Sequence, residues 1–223
     1  FMAQHLDRRT FLALLAMAIH RLPMVLNKRC TFWKLFGTGR GGSFSLNPDW
    51  QQWGLLAVWH NKEDFDKFKK QSFITSWWKR LAANEWTVLL APISSHGKWD
   101  GKEPFQTAPN TEEGPIAILT RARIRASRLK NFWGNVGSVA SHLEDAPGLV
   151  MSVGFGEAPV YLQATFSIWK SEEQMKDFAY RTKIHADVIR KTRAENWYAE
   201  ELFARFRVLE TYGTLQPANE PNT

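Results

Sequence analysis

The stretches "GLLAVWHNKEDFDKF" (54–68) and "ATFSIWKSEEQMKDF" (164–178) share one pattern, and that pattern decides the fold. In each, a strand-like apolar run ends at a tryptophan, and an amphipathic helix with a phenylalanine nine residues later follows. Next along the chain, "FITSWWKRLAANEW" (73–86) matches "IHADVIRKTRAENW" (184–197) after one inserted residue, and "GTG" (37–39) matches "GFG" (154–156). The chain therefore contains an internal repeat.

Each copy predicts a β-α-β-β-α-β unit, the split βαβ or ferredoxin-like arrangement. The alternation of apolar runs and amphipathic segments predicts strands at 31–39, 52–60, 85–93, 116–126, 149–156, 160–170 and 200–210. It predicts helices at 10–22, at 72–84, at 127–143, at 185–196, and after the caps Asn61 and Ser171, with Ser171 and Gln174 forming a capping box. The opening strand of the first half is either missing or reduced to the few residues before Thr10.

Two such units with apolar residues on both sheet faces predict an α+β protein, two fused ferredoxin-like (βαββαβ) repeats forming a dimeric α/β-barrel architecture with helices outside. We expect an N-terminal half over 1–95, a linker over 96–115 rich in Gly, Pro and polar residues, a C-terminal half over 116–211, and a tail over 212–223.

Composition excludes several classes of site. Cys30 is the only cysteine, so neither an internal disulfide nor a cysteine-based zinc or iron–sulfur site can form, which suits a reducing, cytoplasmic compartment. Hydrophobic residues make up 44% of the 223, enough for a substantial core. The net charge of +7 suits an acidic protein partner, an anionic membrane surface or nucleic acid.

The stretch "DRRTFLALLAMAIH" (7–20) places two arginines before an apolar run. It looks like a twin-arginine signal, but the run is shorter than the roughly 20 residues that cross a bilayer. We interpret it as a buried or lipid-facing helix, with a signal peptide as the alternative.

Four motifs together resemble the spheroidene monooxygenase family of carotenoid ketolases: "FWKLFGTG" (32–39), "WTVLLAPI…HGKWDGKEPF" (86–105), "ATFSIWKS" (164–171) and "FAY…HADVIRKTRAENWYAEELFARF" (178–206). The resemblance implies an oxygenase that inserts O2-derived oxygen at C2 of a long acyclic carotenoid. It also implies a haem b cofactor, a ferredoxin-type electron donor and no role for nucleic acid. Such a protein would lie in the cytoplasm or at the periphery of the inner membrane.

His185 is the histidine of most interest among the six. It begins a helix with Val188 and Ile189 on the same side, and the repeat places Ile74 at the equivalent position of the first half. From the residues alone, His185 is a satisfied buried histidine, a surface histidine or a ligand. The family resemblance favours the ligand, as in related haem-bearing α/β barrels, and therefore assigns His185 to the haem iron.

A haem at His185 would lie between its helix and the second sheet. Its expected walls, each of which could equally be plain core, are Phe166, Ile168, Phe178, Val188, Ile189, Phe203 and Phe206. The candidate partners of the propionates, which a solvated strand or helix face also explains, are Arg121, Arg123, Arg125, Arg190, Arg193, Arg205 and Arg207. Strand alternation puts Gln163, Thr165 and Ser167 on one face, where one could hydrogen-bond the bound oxygen during catalysis.

Three functions compete on this sequence. The first is the haem-dependent oxygenase of a carotenoid or similar long apolar substrate. The second keeps the barrel but changes the chemistry to haem-dependent dehydration, peroxide chemistry or cofactor-free oxidation. The third is an RNA-binding module, although the chain lacks the aromatic run K/R-G-F/Y-G/A-F-V-x-F/Y that such domains use.

Overall fold

The computed structural model describes residues 1–6, 10–40, 47–108, 113–158, 160–181 and 183–214. Within these ranges, the side chains of residues 136–142, 144, 180–186 and 189 lie outside the description. All statements below concern the described part of the chain.

The first half begins with a three-residue strand and carries four helices. Its elements are β1 (Met2–Gln4), α1 (Thr10–Ile19), α2 (Arg21–Leu26), β2 (Cys30–Gly39), β3 (Pro48–Trp59), α3 (Lys62–Gln71), α4 (Phe73–Leu81) and β4 (Asn84–Gly97). Side-chain caps fix the starts of α3 and α4, because Asn61 accepts from the backbone N–H of Asp64 and Ser72 accepts from that of Thr75. The short β1 agrees with the prediction of a reduced opening strand.

The second half repeats the same order. Its elements are β5 (Ile116–Ile124), α5 (Leu129–Glu144), β6 (Leu149–Ala158), β7 (Leu162–Trp169), α6 (Glu172–Lys176), a π-helical turn (Asp177–Arg181), α7 (Lys183–Ala194) and β8 (Tyr198–Gly213). The predicted capping box is confirmed: Ser171 Oγ accepts from the N–H of Gln174 at 3.3 Å.

The strands of the described residues close into one antiparallel barrel in the order β1-β3-β2-β6-β7-β5-β8-β4. Each half contributes four neighbouring strands, β4-β1-β3-β2 and β8-β5-β7-β6, so the predicted fused α/β barrel is confirmed. The halves meet edge to edge, at β2·β6 and along the long β4·β8 pair.

A pseudo-two-fold axis relates the halves. Gly37 pairs with Trp53 and Gly156 with Gln163, and the repeat that aligns Leu55 with Thr165 also aligns Trp53 with Gln163. Strand register therefore makes Gly37 equivalent to Gly156, whereas the sequence match paired Gly37 with Gly154. The two equivalent glycines also pair with each other across the β2·β6 edge. On the opposite edge, Gly97 and Gly213 have φ of +88° and +70°. A Cβ on Gly97 would lie 2.1 Å from the carbonyl oxygen of Glu201, and one on Gly213 would lie 2.0 Å from that of Glu85. Glycine is therefore required twice, at symmetric places.

The sheet separates an interior core from outer cores beneath the helices. The interior core comprises Met2, Phe32, Phe36, Trp86, Trp99, Ala117, Leu119, Val153, Phe155, Ala164, Phe166, Ile168, Leu202, Ala204 and Phe206. On the outer face of the first half, one core joins sheet and helices through Ala3, Met24, Leu35, Leu55, Phe68, Ile74 and Trp78. This division follows from strand alternation, which sends successive side chains to opposite faces.

The first helix ends earlier than the sequence predicted. The segment 10–22 was expected as one helix stopped by Pro23, but α1 ends at Ile19, and His20 precedes the separate helix α2. Pro23 lies in the first turn of α2, where a missing backbone N–H costs nothing. His20 is fully buried against the rings of Phe73, Trp77 and Trp78, which accounts for the bend at this point.

A tight turn after β4 closes one end of the barrel. Trp99 pairs with Lys102 across the turn, and the indole of Trp99 is fully buried in the interior core. Its Nε1 donates to Glu157 at 2.7 Å. The expected linker over 96–115 thus begins inside β4 and continues with a residue of the barrel interior.

An ion network, which we name the Arg121 cluster, holds this turn. It joins three cations and three carboxylates from β2, β5, β6, β8 and the turn: Lys34, Arg121, Arg123, Asp100, Glu157 and Glu200. The Arg121 guanidinium is 1% exposed and hydrogen-bonds Asp100 and Glu200. Glu200 also accepts from the backbone N–H groups of Asp100 and Gly101.

Candidate functional site

The outer face of the second half differs from that of the first at its centre. Along β7, Ala164, Phe166 and Ile168 face the barrel interior, so Gln163, Thr165 and Ser167 face the helices. The structure therefore confirms that these three residues share a face and assigns that face to the helix layer.

Two cross-strand rows run through this face, and six of their eight residues are small or polar. Strand pairing aligns Gly154, Thr165, Thr120 and Phe203 in one row, and Ser152, Ser167, Ile118 and Arg205 in the next. We name these eight residues the second-half platform. Its hydroxyl residues Thr120, Ser152, Thr165 and Ser167 are only half-buried, although the helices of this half lie on the same side of the sheet.

The equivalent positions of the first half are filled with apolar side chains. In the repeat, Leu55 corresponds to Thr165, Ala57 to Ser167 and Ile74 to His185. Leu55 and Ile74 are 1% and 0% exposed and belong to one continuous outer core. The second half has therefore lost apolar packing at the places where the first half is most tightly closed.

The outer core of the second half is correspondingly split in two. One cluster comprises Ile116, Ile118, Ala146, Trp169 and Met175, with Phe178 and Phe203 packed against it. The other comprises Ala122, Ile124, Phe132 and Trp197, with Val188 packed against it. The row through Thr120 and Thr165 lies between these clusters, so the centre of the face is polar and its two sides are apolar.

Hydrogen bonds orient part of the platform. Trp169 Nε1 donates to Ser167 Oγ at 2.9 Å, which leaves the Ser167 hydroxyl hydrogen available for another acceptor. Gln163 Nε2 lies 3.5 Å from the carbonyl oxygen of Ala158. Arg205 Nη1 donates to Glu172 at 2.9 Å, while Arg205 Nε is buried without a hydrogen-bond partner among the described residues.

The expected haem walls separate onto two faces. Phe203 ends one row of the platform and packs with Phe178 in one outer cluster, and Val188 lies in the other cluster. Phe166, Ile168 and Phe206 instead face the barrel interior, where the Phe166 ring contacts Trp86. The expectation for these three residues was therefore wrong, because strand alternation puts them on the opposite face of the sheet from Phe203. Ile189 and His185 lie on α7, and their side chains lie outside the described residues.

The arginines of β5 are engaged elsewhere. Arg121 and Arg123 were considered as partners for haem propionates, but both point to the interior side of β5 and pair with Asp100. Arg205 lies on the platform itself, and Arg207 follows it on the same outer face of β8, where it hydrogen-bonds the carbonyl oxygen of Gly114.

The π-helical turn between α6 and α7 is a feature that sequence reasoning recorded only as an inserted residue. A π turn adds one residue to a helix and is frequent at functional sites. Asp177–Arg181 occupies the stretch between the two matched segments of the repeat, where the second half is one residue longer. The insertion therefore lies directly before the helix that carries His185.

A cavity lies in the barrel interior, on the other side of the sheet from the platform. Its volume is about 580 Å³, and its lining includes Phe32, Phe36, Trp86, Val88, Phe105, Leu119, Phe155, Phe166 and Phe206. Among the described residues, no three His, Cys, Asp or Glu side chains cluster closely enough to hold a metal ion. None of the helices in the described part is both long and apolar enough to cross a membrane.

Comparison with known proteins identifies the family. The chain is 39% identical over 199 residues to spheroidene monooxygenase of Cereibacter sphaeroides, covering 88% of this chain and 61% of that protein. It is 34% identical over 201 residues to spheroidene monooxygenase of Rhodobacter capsulatus, covering 89% and 83%. The chain belongs to the spheroidene monooxygenase family.

Membership of the spheroidene monooxygenase family agrees with the resemblance in the four sequence motifs. The chain spans 61% of the length of the Cereibacter relative. No family model matches the sequence. A crystal structure of an aldoxime dehydratase with butyraldoxime superposes with a TM-score of 0.60 at 10% identity, over 98% of this chain and 82% of that one, which shows a shared fold.

Proposed function

We propose that this spheroidene monooxygenase family member is an oxidoreductase that inserts oxygen into an acyclic carotenoid or a similarly long apolar substrate, at C2, using haem b held by His185. The observation that carries the proposal is the asymmetry between the repeats: three positions that are apolar in the first half become Thr165, Ser167 and His185 in the second. Polar residues at positions that pack as core elsewhere in the same fold need a ligand or partner to justify them.

The platform fits a large flat group with an apolar body and an anionic edge. Its centre consists of small residues and is half-buried, and apolar clusters containing Phe178, Phe203 and Val188 flank it. Arg205 Nε, buried without a partner in the described part of the chain, offers a donor for a propionate. His185 would hold the iron from α7, since imidazole is a common axial ligand of haem.

Haem, when bound, would supply the activation of O2 that amino-acid side chains do not provide. The residues of the chain would then position and protect. Thr165 and Ser167 place hydroxyl groups on the platform, and Ser167 can donate its hydrogen because Trp169 already occupies its acceptor side. Gln163 lies at the neighbouring position of the same face and would act as a third polar contact. The flanking phenylalanines exclude water from this space.

The remaining partners follow from charge. A ferredoxin-type electron donor is acidic in this proposal and would be drawn to a protein of net charge +7. We place the protein in the cytoplasm, at the periphery of the inner membrane, where an apolar substrate would reside.

The decisive experiment is an absorption spectrum of the purified protein after haem supplementation. We expect a Soret band that disappears in His185→Gly and returns when imidazole is added, since free imidazole can replace the missing side chain. His96→Ala is the matched control, because His96 is exposed at the end of β4 and should leave the band unchanged.

A second variant tests the platform itself. Thr165→Leu combined with Ser167→Ala restores the residues of the first half and should abolish haem binding while the circular dichroism spectrum stays unchanged. Folded, colourless wild-type protein after supplementation would refute the haem assignment. Product analysis with reductant and O2, against peroxide or an aldoxime, would separate the oxygenase from peroxidase-like or dehydratase chemistry.

A further inference from the structure

The helix pair α1–α2 turns its large apolar side chains to the outside of the protein. Its inner face consists of Ala13, Ala16, His20 and Met24, all buried. Its outer face, which we name the α1–α2 face, exposes Phe11, Leu14, Leu15, Ile19, Leu22, Val25 and Leu26. Helix α1 contains no charged residue.

This arrangement inverts the pattern of a water-exposed helix. A surface helix normally buries its large apolar residues and presents polar ones to water. Here the small alanines pack inward, and Phe11, Val25 and Leu26 are 73%, 68% and 68% exposed. A contiguous patch of this kind marks an interaction surface.

The basic residues around the α1–α2 face indicate which partner it binds. Residues 10–29 include Arg21, Lys28 and Arg29 but no Asp or Glu, and Arg21 and Lys28 are exposed beside the apolar side chains. Arg29 is paired with Asp64 at 3.3 Å, so two basic groups remain at the rim. An apolar face with a basic rim suits the anionic surface of a bilayer. In a two-fold dimer through the same face, the basic rim of each copy would find no Asp or Glu of residues 10–29 on the other copy to pair with, which disfavours self-association.

The dimensions also favour a helix that lies in the surface. Helix α1 has ten residues and is therefore about 15 Å long. The hydrocarbon core of a bilayer is about 30 Å thick. With Ala13 and Ala16 packed on the protein, α1 and α2 would lie along the membrane with the exposed side chains inserted.

We propose that the α1–α2 face binds the protein peripherally to an anionic lipid bilayer. Leu22, Val25 and Leu26 enter the interface, and Arg21 and Lys28 contact lipid headgroups. This inference does not depend on haem or on the identity of the substrate.

The test is co-sedimentation of the protein with vesicles of phosphatidylglycerol and phosphatidylcholine in equal parts. We expect binding to the mixed vesicles and roughly 30-fold weaker binding to phosphatidylcholine alone, since each basic residue near an anionic surface contributes about a factor of five. Arg21→Gln with Lys28→Gln should remove this preference.

Leu22→Ser with Leu26→Ser should abolish binding, and these substitutions are at exposed positions, so the fold is retained. The control is Val150→Ser with Tyr161→Ser, which removes two large exposed side chains from the second half, 56% and 47% exposed, and should leave binding unchanged. Absence of wild-type binding, or wild-type binding by the Leu22/Leu26 variant, overturns the proposal. A dimer in sedimentation velocity that the same variant dissociates would overturn it in favour of a self-interface.

Discussion

Replacing Arg121 by methionine should destabilise the protein strongly, because Arg121 is the buried member of a balanced charge cluster. The three cations of the cluster face three carboxylates, so the substitution leaves a net charge of −1 beside the barrel interior. Removing one partner of a buried ion pair typically costs 3–5 kcal/mol. Since Asp100 keeps 37% of its side chain exposed, we expect the lower end, about 3 kcal/mol.

The assays are urea unfolding, which gives the free energy of unfolding, and thermal unfolding, both at pH 7 and monitored by tryptophan fluorescence. In a chain of this size, a loss of about 3 kcal/mol lowers the melting temperature by roughly 6–12 °C. Arg123→Met is the matched control: Arg123 pairs with the same Asp100, but it is 44% exposed, so its loss should cost less than about 1 kcal/mol. Equal destabilisation by both substitutions would show that burial of Arg121 does not govern the cluster.

The pH dependence provides a second check. Burial alone would raise the pKa of Asp100 and of Glu200, but in both the hydrogen bonds and nearby cations outweigh it and the pKa falls below its ordinary value. The stabilisation is therefore present above the ordinary carboxylate pKa and is lost as the pH falls through the lowered values. The difference between wild type and Arg121→Met should shrink below pH 4. Arg121→Met combined with Glu200→Gln should recover part of the loss, and simple additivity of the two effects would contradict the coupling.

Three further predictions concern single residues. Burial, with a smaller contribution from His5, lowers the pKa of His20 to about 4, so the folded protein resists protonation of His20 and loses stability as the pH falls from 6.5 towards 4. Wild type should lose at most roughly 3 kcal/mol over this range. In unfolding titrations, His20→Leu should remove this share of the acid sensitivity. Gly97→Ala should cost roughly 3 kcal/mol or more, whereas Gly101→Ala, with similar positive φ but nothing within 4 Å of the new Cβ, should cost about 1 kcal/mol; equal melting temperatures would contradict the clash at Glu201. Burial raises the pKa of the Cys30 thiol to about 11, so iodoacetamide should alkylate it at neutral pH roughly 100-fold more slowly than a free cysteine, and a comparable rate would show that the thiol is accessible as thiolate.

The fold was predictable because large side chains and helix caps recur at the same spacing in both halves. Trp59 and Trp169 end equivalent strands, and the caps Asn61 and Ser171 begin equivalent helices, so spacing alone aligned the two halves. The break between α1 and α2 was not predictable in this way. It depends on burial of His20 among three aromatic rings of α4, which are distant in sequence.

The site was predictable only to the level of a strand face. Strand alternation grouped Gln163, Thr165 and Ser167 on one face. Both faces of this sheet are covered, one by the barrel interior and the other by helices, and no local sequence pattern tells which face is which. For the same reason Phe166 was grouped with Phe203, although they lie on opposite faces. The role of Trp99 was equally hidden, since the surrounding composition is polar and its burial depends on Glu157 and the Arg121 cluster.

The pseudo-two-fold axis has a consequence for how such a protein can change. If the barrel were assembled from two identical chains, every substitution would occur in both halves. A hydroxyl that suits one outer face would then also weaken the packing of the symmetry-related face. Because the two halves belong to one chain, they can differ. Leu55 packs in the outer core of the first half, while Thr165 leaves the outer face of the second half partly exposed. The well-packed first half can then stabilise the fold while substitutions in the second half create a new site.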